Sequence, residues 1–186
     1  FQKIRDMELD SKRAKFARDM FLLSFYLGGI NLVDLMQVNL KGEELCYIRT
    51  KTKNKKTGDK FTTFRIPEEA RPIIDKHAPN GKLEWPGKRK YEIVNSYING
   101  CFMKLKAEAG IKGTFSYYSA RKTFAQFAFM IGIKTEVIEY CVGQTVKSSR
   151  PIYSYVRVIQ RQADTAMRKV IDYTVNPDSF DLYDVI

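Results

Sequence analysis

The fold is decided by a stretch that contains, in order, Tyr118-Ser119-Ala120-Arg121, Val142-Gly143-Gln144 and Tyr153. Apolar residues between these motifs recur at helical spacing, which predicts a helix over about 117–130 and a shorter helix over 135–141, capped by Thr135. Gly132 separates the two, as expected of a glycine that ends a helix. An arginine in a first helical turn, a polar residue after a glycine and a downstream tyrosine can together contact one phosphate group.

The same helical spacing extends on both sides of this stretch. Ser11 is predicted to cap a helix that runs to about Leu27 and stops at Gly28-Gly29. Asn31 then caps a short helix, with its side chain accepting from the free amides of the first turn and Asp34 suiting the positive helix end. Further helices are predicted over about 67–77, 91–109 and 151–172. The predicted inward positions of the last three long helices are Val94, Ile98, Phe102, Leu105 and Ala109, then Ala120, Phe124, Phe127 and Ile131, then Ile152, Val156, Ile159, Ala163, Ala166 and Val170.

Alternating residues in the first third of the chain predict two strands. The first covers Glu44 to Thr50 and the second covers roughly Phe61 to Ile66. A lysine-rich hairpin loop joins them, with a turn near Gly58, and its length suggests a functional loop. The predicted fold class is α+β, mostly helical, with a small antiparallel sheet near the N-terminus.

The composition favours a polyanionic partner. The 186 residues include 32 Lys and Arg against 21 Asp and Glu, which gives a net charge of +11. A charge this far from zero is typical of proteins that bind DNA, RNA or an acidic membrane surface. No apolar run approaches the ~20 residues that span a membrane, and no signal-peptide pattern opens the chain. The alternative is a basic protein whose charge serves only solubility.

Metal and disulfide chemistry are not expected from the sequence. The cysteines are Cys46, Cys101 and Cys141. They are odd in number, far apart and surrounded by apolar neighbours, so we expect reduced, buried thiols in a cytosolic protein. The single histidine is His77, and no Cys-x-x-Cys pair occurs, so we expect neither a zinc site nor a histidine-based triad.

The order and spacing of the motifs resemble the catalytic domain of the tyrosine recombinases, the lambda-integrase-type family. That family places its first catalytic arginine in a Gly-Leu-Arg-like segment at the start of a short helix. A three-stranded sheet with a catalytic lysine in its hairpin follows, and then His-x-x-Arg, Leu-Gly-His and a nucleophilic tyrosine. The counterparts here are Gly29-Ile30-Asn31-Leu32-Val33-Asp34-Leu35, the Lys51 hairpin, Tyr118-Ser119-Ala120-Arg121, Val142-Gly143-Gln144 and Arg150-Pro151-Ile152-Tyr153.

The resemblance implies a role for each counterpart. Tyr153, nine residues after Gln144, would attack a DNA phosphodiester and form a 3′-phosphotyrosyl bond, with Tyr155 as the rival nucleophile. Arg121 would clamp two phosphate oxygens, with pairing to a core carboxylate as the alternative. Tyr118 and Gln144 replace the two family histidines and would still donate hydrogen bonds, with ordinary packing as the alternative.

Lys51 would act as the general acid that protonates the departing 5′ oxygen. The registration within the loop is open, because Lys53, Lys55 and Lys56 follow. We favour Lys51 because it lies directly after the first strand. For the later lysines the better interpretation is a solvated charge run that contacts phosphates without sequence preference.

Asn31 is the main departure from the family pattern. It stands where the first catalytic arginine is expected, and a neutral amide cannot supply the charge of a guanidinium. Its predicted N-cap role explains it structurally. Either another arginine reaches the phosphate, for which Arg49 is our hypothesis, or activity is weak or absent.

The resemblance also implies an organisation for the whole protein. Residues 1–173 would form a tyrosine recombinase catalytic domain, and residues 174–186 a tail that docks on a neighbouring protomer or packs on its own domain. An N-terminal DNA-binding domain would precede this chain. The expected function is site-specific DNA recombination or integration for a phage or mobile element, on DNA in the bacterial cytoplasm, with no metal or nucleotide cofactor.

The expected partners are double-stranded DNA and further copies of the protein, as a tetramer in the synapse. The sequence leaves the state of assembly without DNA open, with a monomer as one option. One alternative is a DNA-binding relative of the family that has lost catalysis, which the missing arginine and histidines favour. The other is a basic helical interaction module with no DNA role.

Overall fold

The computed structural model describes residues 1–52, 61–85, 90–144 and 158–180. Its helices are α1 (Gln2–Asp6), α2 (Lys12–Tyr26), α3 (Leu32–Leu35), α4 (Arg71–His77), α5 (Tyr91–Glu108), α6 (Ser119–Met130), α7 (Thr135–Cys141) and α8 (Gln160–Val175). Its strands are β1 (Glu44–Ile48) and β2 (Phe61–Arg65), and short 3₁₀ turns cover Thr50–Thr52, Glu68–Ala70 and Pro177–Ser179. The described chain is therefore mostly helical with a small antiparallel sheet, as predicted. None of these helices is both long enough and apolar enough to cross a lipid bilayer.

Helix α2 lies at the centre of the fold and packs against α4, α5 and α6. Ser11 caps it as predicted, because its Oγ accepts a hydrogen bond of 3.0 Å from the Ala14 amide. The Phe25 ring is fully buried, and its centroid lies 5.8 Å from that of Phe124 and 6.1 Å from that of Phe127. Burying a large apolar side chain contributes ~1.5–3 kcal/mol, so these aromatic contacts between α2 and α6 are a main part of the core.

Helix α5 forms the second long side of the core. Its predicted inward positions are all buried, namely Val94, Ile98, Phe102, Leu105 and Ala109. Gly110 follows the helix at φ +60°, in the left-handed conformation that commonly ends a helix. The Glu108 carboxylate accepts a hydrogen bond of 3.1 Å from the Asp10 amide, so the end of α5 is tied to the segment that starts α2.

Helices α6 and α7 lie where the sequence predicts them, with Gly132 between them at φ +74°. The N-cap position of α7 is occupied by Lys134, and the predicted cap Thr135 is the first helical residue instead. Two of the predicted inward positions of α6 are buried, Ala120 and Phe124, and two are only half-buried, Phe127 and Ile131.

The two strands pair antiparallel, with Leu45 opposite Phe64 on the buried face. Strand β1 ends at Ile48, before the predicted end at Thr50. The reason is that the Thr50 amide donates to Oδ1 of Asp34 at 2.7 Å, so it is not available to a neighbouring strand. The resemblance implies three strands, whereas the described residues form these two.

The outer edge of β2 is paired with side chains from the helices. Oη of Tyr140, on α7, accepts a hydrogen bond of 3.0 Å from the Thr63 amide. The Asp164 carboxylate, on α8, accepts one of 2.7 Å from the Arg65 amide. The sheet is therefore fixed to the helices through its outer edge as well as through its buried face.

Helix α8 begins later than the sequence predicts. Ile159 is not helical and is 58% exposed, so the prediction of one helix from Pro151 with Ile159 facing inward is wrong. Ile159 takes the N-cap position, where its amide donates to Oε1 of Gln162 at 3.0 Å. The other described positions of the predicted stripe are buried, namely Ala163, Ala166 and Val170. Outside the described residues lie Ile152 and Val156.

The three cysteines are free thiols, but only two of them are buried as predicted. Cys101 and Cys141 lie in the core, and burial raises the pKa of Cys141 to about 12. Cys46 is exposed because it lies on the outward face of β1, between the inward-facing Leu45 and Tyr47. The prediction that all three thiols are buried is therefore wrong for Cys46.

A buried carboxylate links α2 to α4. Asp19 is 6% exposed, and its Oδ2 accepts from Nζ of Lys76 at 2.7 Å and lies 2.8 Å from Nε2 of His77. Burial alone would raise the pKa of Asp19, but the hydrogen bonds with His77 and Lys76 outweigh it and lower the pKa. The anionic form of Asp19 therefore stabilises the folded chain.

We expect Asp19→Asn to lower the free energy of unfolding at neutral pH by about 1–3 kcal/mol, because it removes the charge that Lys76 and His77 contact. A lowered folded-state pKa contributes stability above the unfolded value of ~3.9, and this is lost as the pH falls through the folded-state pKa. The difference between the variant and the unsubstituted protein should therefore shrink in acid. Urea unfolding at neutral pH and near pH 3 measures it. Asp75→Asn, at an exposed carboxylate of α4, is the control. A difference that does not vary with pH would contradict this account.

Candidate functional site

Two consecutive glycines form the turn between α2 and α3. Gly28 and Gly29 have φ values of +68° and +70°, which other residues adopt only with strain. A Cβ at Gly28 would lie 2.6 Å from the carbonyl oxygen of Cys141. A Cβ at Gly29 would lie 2.5 Å from Cα of Arg121. The turn therefore lies directly against α6 and α7, with no room for a side chain at either glycine.

Buried hydrogen bonds hold the backbone of this turn. The Gly29 amide donates to the Ser24 carbonyl at 2.7 Å. The Ile30 carbonyl accepts from Oγ of Ser24 and from Oη of Tyr117, each at 3.0 Å. Burial raises the pKa of Tyr117, so its hydroxyl stays protonated and remains a donor. The carbonyl groups of the turn are thus held in fixed directions.

Arg121 joins this turn to the end of α7. It lies in the first turn of α6 and is only 4% exposed. Its Nη1 donates to the Gly29 carbonyl at 2.9 Å, and its Nη2 donates to the Val142 carbonyl. These bonds use two of the five N–H donors of the guanidinium. Backbone carbonyls therefore hold Arg121 in place, whereas the sequence analysis expects a phosphate or a core carboxylate as its partner.

Arg49 and Arg121 form a positive centre, which we call the arginine pair. Burial is the largest cause that lowers the pKa of Arg121, and the positive charge of Arg49 lowers it further. Opposing contributions come from Tyr47, Tyr118 and Asp34. A guanidinium starts from so high a pKa that it stays charged at neutral pH. The two charges are therefore close enough to influence each other.

Asn31 contacts Arg49 and does not cap α3 with its side chain. Asn31 occupies the N-cap position as predicted, but its side chain makes no hydrogen bond to the amides of the first turn. With its amide oxygen turned toward Arg49, Asn31 accepts from Nε at 3.1 Å and from Nη2 at 3.2 Å. Hydrogen bonds from a charged donor are stronger than those from a neutral backbone amide, which explains the preference.

The same short helix also fixes the backbone next to Arg49. Asp34 is 3% exposed, and its Oδ1 holds the Thr50 amide at 2.7 Å. Nε2 of Gln37 donates to Oγ1 of Thr50 at 3.4 Å. The sequence predicted Asp34 only as a favourable charge near the positive end of α3. The structure adds a contact that sets where the chain leaves β1.

Gln144 is exposed at the end of the turn that follows α7. Its backbone amide donates to the Glu139 carbonyl at 2.7 Å, and the preceding Gly143 has a φ of +66°. A Cβ at Gly143 would lie 3.0 Å from Oη of Tyr47, so this turn lies close to β1. Because Val142 accepts from Arg121, the backbone that carries Gln144 is attached to the arginine pair.

Tyr118 and Lys51 are both exposed. Tyr118 is 48% exposed at the N-cap position of α6, and Nζ of Lys122 lies 5.9 Å from the centre of its ring. Lys51 lies in the 3₁₀ turn that follows Arg49. Both side chains are therefore accessible to solvent.

Several predicted site residues lie outside the described residues. These are Lys53, Lys55, Lys56, Arg150, Tyr153 and Tyr155. Of the predicted site residues that are described, Arg121 and Asn31 lie around the same glycine turn, and Arg49 contacts Asn31. The segment that ends in Gln144 is bonded to Arg121, and Tyr118 lies at the start of the helix that carries Arg121. Comparison with protein-family models gives no match for this chain, and comparison with curated proteins gives none. The function of the site is therefore inferred from its residues and their geometry.

Two parts of the site are not predicted by the sequence reasoning. Gly28 and Gly29 are predicted only as a helix stop, whereas they also admit Arg121 and the end of α7. The doubled glycine is the signal for such a close approach, because one glycine is enough to end a helix. Tyr117 and Tyr47 are buried around the site with no sequence pattern that separates them from ordinary core residues.

We expect Gly29→Ala to lower the free energy of unfolding by about 2 kcal/mol or more, because the new methyl group would require both left-handed strain and displacement of Arg121. Denaturant unfolding measures the effect. The matched control is Gly100→Ala within α5, where a Cβ would meet nothing within 4 Å. That substitution should raise stability by roughly 0.5–1 kcal/mol. Equal effects at the two glycines would show that the turn is not closely packed.

We expect Arg121→Lys to cost about 1–3 kcal/mol of folding stability although it keeps the charge, because a single nitrogen replaces the two that donate to the carbonyls of Gly29 and Val142. Urea unfolding measures the loss. Arg161→Lys, at an exposed position of α8, controls for the change of residue type. A loss no larger than that of the control would mean that the two hydrogen bonds contribute little to the fold.

Proposed function

We propose that this chain is the catalytic domain of a tyrosine recombinase, which cuts and rejoins DNA for a phage or mobile element. The observation that carries the proposal is the position of Arg121. Its guanidinium connects the glycine turn before α3, the first turn of α6 and the segment that carries Gln144. These are three of the five segments in which the sequence motifs of the family occur, and they are distant from one another along the chain.

The proposed reaction is an exchange of phosphodiester bonds. Oη of Tyr153 gives up its proton to solvent and attacks the phosphorus, a 3′-phosphotyrosyl bond forms and the bond to the 5′ oxygen breaks. Lys51 gives its proton to the departing 5′ oxygen. Arg121 stabilises the negative charge that builds on the phosphate in the transition state, and Tyr118 and Gln144 donate hydrogen bonds to it. The 5′ hydroxyl of another strand then attacks the phosphotyrosine, which restores a phosphodiester without a nucleotide cofactor.

The charge of the chain supports DNA as the substrate. A net charge of +11 attracts a polyanion, and Lys51 and Lys122 are exposed beside the site. The proposed assembly is a tetramer on DNA, in which the tail reaches a neighbouring protomer. Its described beginning packs on its own domain, with the Phe180 ring 5.6 Å from that of Tyr173. Residues 181–186 lie outside the described residues.

A DNA-binding relative without catalysis is the second candidate. The observation that favours it is the burial of Arg121, which is 4% exposed and already bonded to two carbonyls. An arginine in that setting can serve the fold alone. Asn31, at the position of the first family arginine, also favours a relative without catalysis.

We expect the full-length protein to form a covalent adduct with a nicked duplex that carries its own attachment site, because the nick lets the cleaved strand diffuse away. Denaturing gel electrophoresis detects the adduct. Tyr153→Phe should abolish it, and Tyr155→Phe is the matched control and should keep it. An adduct that survives Tyr153→Phe but not Tyr155→Phe would transfer the nucleophile to Tyr155.

Tight binding without any adduct would leave the non-catalytic relative as the better description. Binding to duplex DNA should weaken as salt rises, because phosphate contacts release counterions. Binding that is unaffected by salt would argue against a DNA substrate and for an interaction module.

A further inference from the structure

We propose that Arg49 takes the place of the missing first arginine, and that Asn31 is the residue that positions it. In this arrangement the arginine pair holds one phosphate between two guanidinium groups. Arg49 would be a catalytic residue, because it contacts the phosphate, and Asn31 would act only through Arg49. The inference rests on the proposed function of the site and adds the residue that completes it.

The first observation is the contact between Asn31 and Arg49. Asn31 accepts from both Nε and Nη2, at 3.1 Å and 3.2 Å, so it holds one edge of the guanidinium. A guanidinium is a planar fork, and two donors on one edge fix the plane of the group. A single oxygen at the N-cap of α3 therefore sets the direction in which the charge of Arg49 points.

The second observation is that α3 holds the same segment at a second point. Asp34 fixes the Thr50 amide at 2.7 Å, one residue beyond Arg49. Asn31 and Asp34 are separated by less than one helical turn, so both contacts come from one rigid unit. The backbone and the side chain of the segment are thus both positioned by the helix that carries the first arginine in the family.

The third observation is that the two guanidinium groups bond to the same turn. Arg121 donates to the Gly29 carbonyl at 2.9 Å, and Arg49 donates to the side chain of Asn31, two residues further on. The charge of Arg49 is the second cause, after burial, that lowers the pKa of Arg121. Both arginines also oppose the effect of burial, which raises the pKa of Tyr47. Two cations near one another repel, and a bound anion removes that repulsion. A phosphate is the anion whose oxygens match two guanidinium forks.

The neutral side chain at Asn31 is part of this arrangement. An arginine at position 31 would repel Arg49, whereas the amide oxygen attracts it. With Asn31 at the position of the family arginine and Arg49 in its role, the number of positive charges around the phosphate is unchanged. One of them moves from the start of α3 to the end of β1, next to the turn that carries Lys51.

Rates of adduct formation on the nicked duplex test the catalytic part. Arg49→Ala should lower the rate by about 10²–10³-fold, the loss typical of removing one donor to the transition-state charge. Arg65→Ala, at an exposed arginine of β2, should keep the rate of the unsubstituted protein. Asn31→Ser keeps a residue that favours the N-cap position, but its shorter side chain moves the acceptor oxygen away from the Arg49 guanidinium. The rate should therefore fall by up to ~100-fold with little change in stability.

Nuclear magnetic resonance of the arginine side chains tests the clamp without cleavage. The Nε–Hε signals of Arg49 and Arg121 should shift along one binding curve as inorganic phosphate is added. In Asn31→Ser, the Hε of Arg49 should exchange with water faster, which a purely structural role of Asn31 would not produce. The Arg121 signal should be little changed before phosphate is added.

The outcomes separate the two proposals. No adduct from the unsubstituted protein contradicts the proposed function, while a joint phosphate shift of both arginines still supports the clamp. An Arg49→Ala rate equal to that of Arg65→Ala overturns the inference and leaves the recombinase function in place. A phosphate titration that shifts Arg121 alone, or neither arginine, also overturns it.

Discussion

The hydrogen bonds from Arg121 to the carbonyls of Gly29 and Val142 are the contacts on which the rest of the site depends. They join three segments that also meet through apolar packing, which is not directional. Hydrogen bonds from a charged group to fixed carbonyls are directional and stronger than neutral ones. The relative positions of α3, α6 and the turn after α7 are therefore set largely by a buried, charged side chain.

This arrangement couples the stability of the fold to the chemistry proposed for the site. A guanidinium that must also bind a phosphate is normally kept near the surface, but here most of it is inside the protein. Its orientation is then fixed before the proposed substrate binds, which favours a preorganised electrostatic site over one that forms around its substrate. The same burial makes Arg121 costly to replace for reasons unrelated to catalysis.

Local sequence patterns were sufficient for most of the fold. The Ser11 cap, the inward face of α5 and the glycines that end α5 and α6 depend on periodicity and on local backbone preferences, which a sequence displays directly. Strand β1 was predicted too long, because its end is decided by Asp34, from another element. The predicted start of helix α8 is too early, because apolar residues keep helical spacing through Ile159. In the folded chain Ile159 precedes the helix and is exposed.

The site was harder to predict because its contacts join residues that are far apart in sequence. Arg121 is predicted to contact a phosphate or a core carboxylate, whereas its partners are two backbone carbonyls, which have no side-chain signature in a sequence. Asn31 was expected to bond its own helix, and only the folded chain shows that Arg49 reaches its oxygen. The positions of Tyr153 and the later lysines of the hairpin remain predictions.

The covered edge of β2 limits how copies of this protein can associate. An open strand edge is the usual place where a second chain adds a strand and extends a sheet. Here Tyr140 and Asp164 already occupy the amides of Thr63 and Arg65. Sheet extension at this edge would require breaking those bonds, so copies of the protein could pair their strands here only at the cost of the contacts that fix the sheet to α7 and α8.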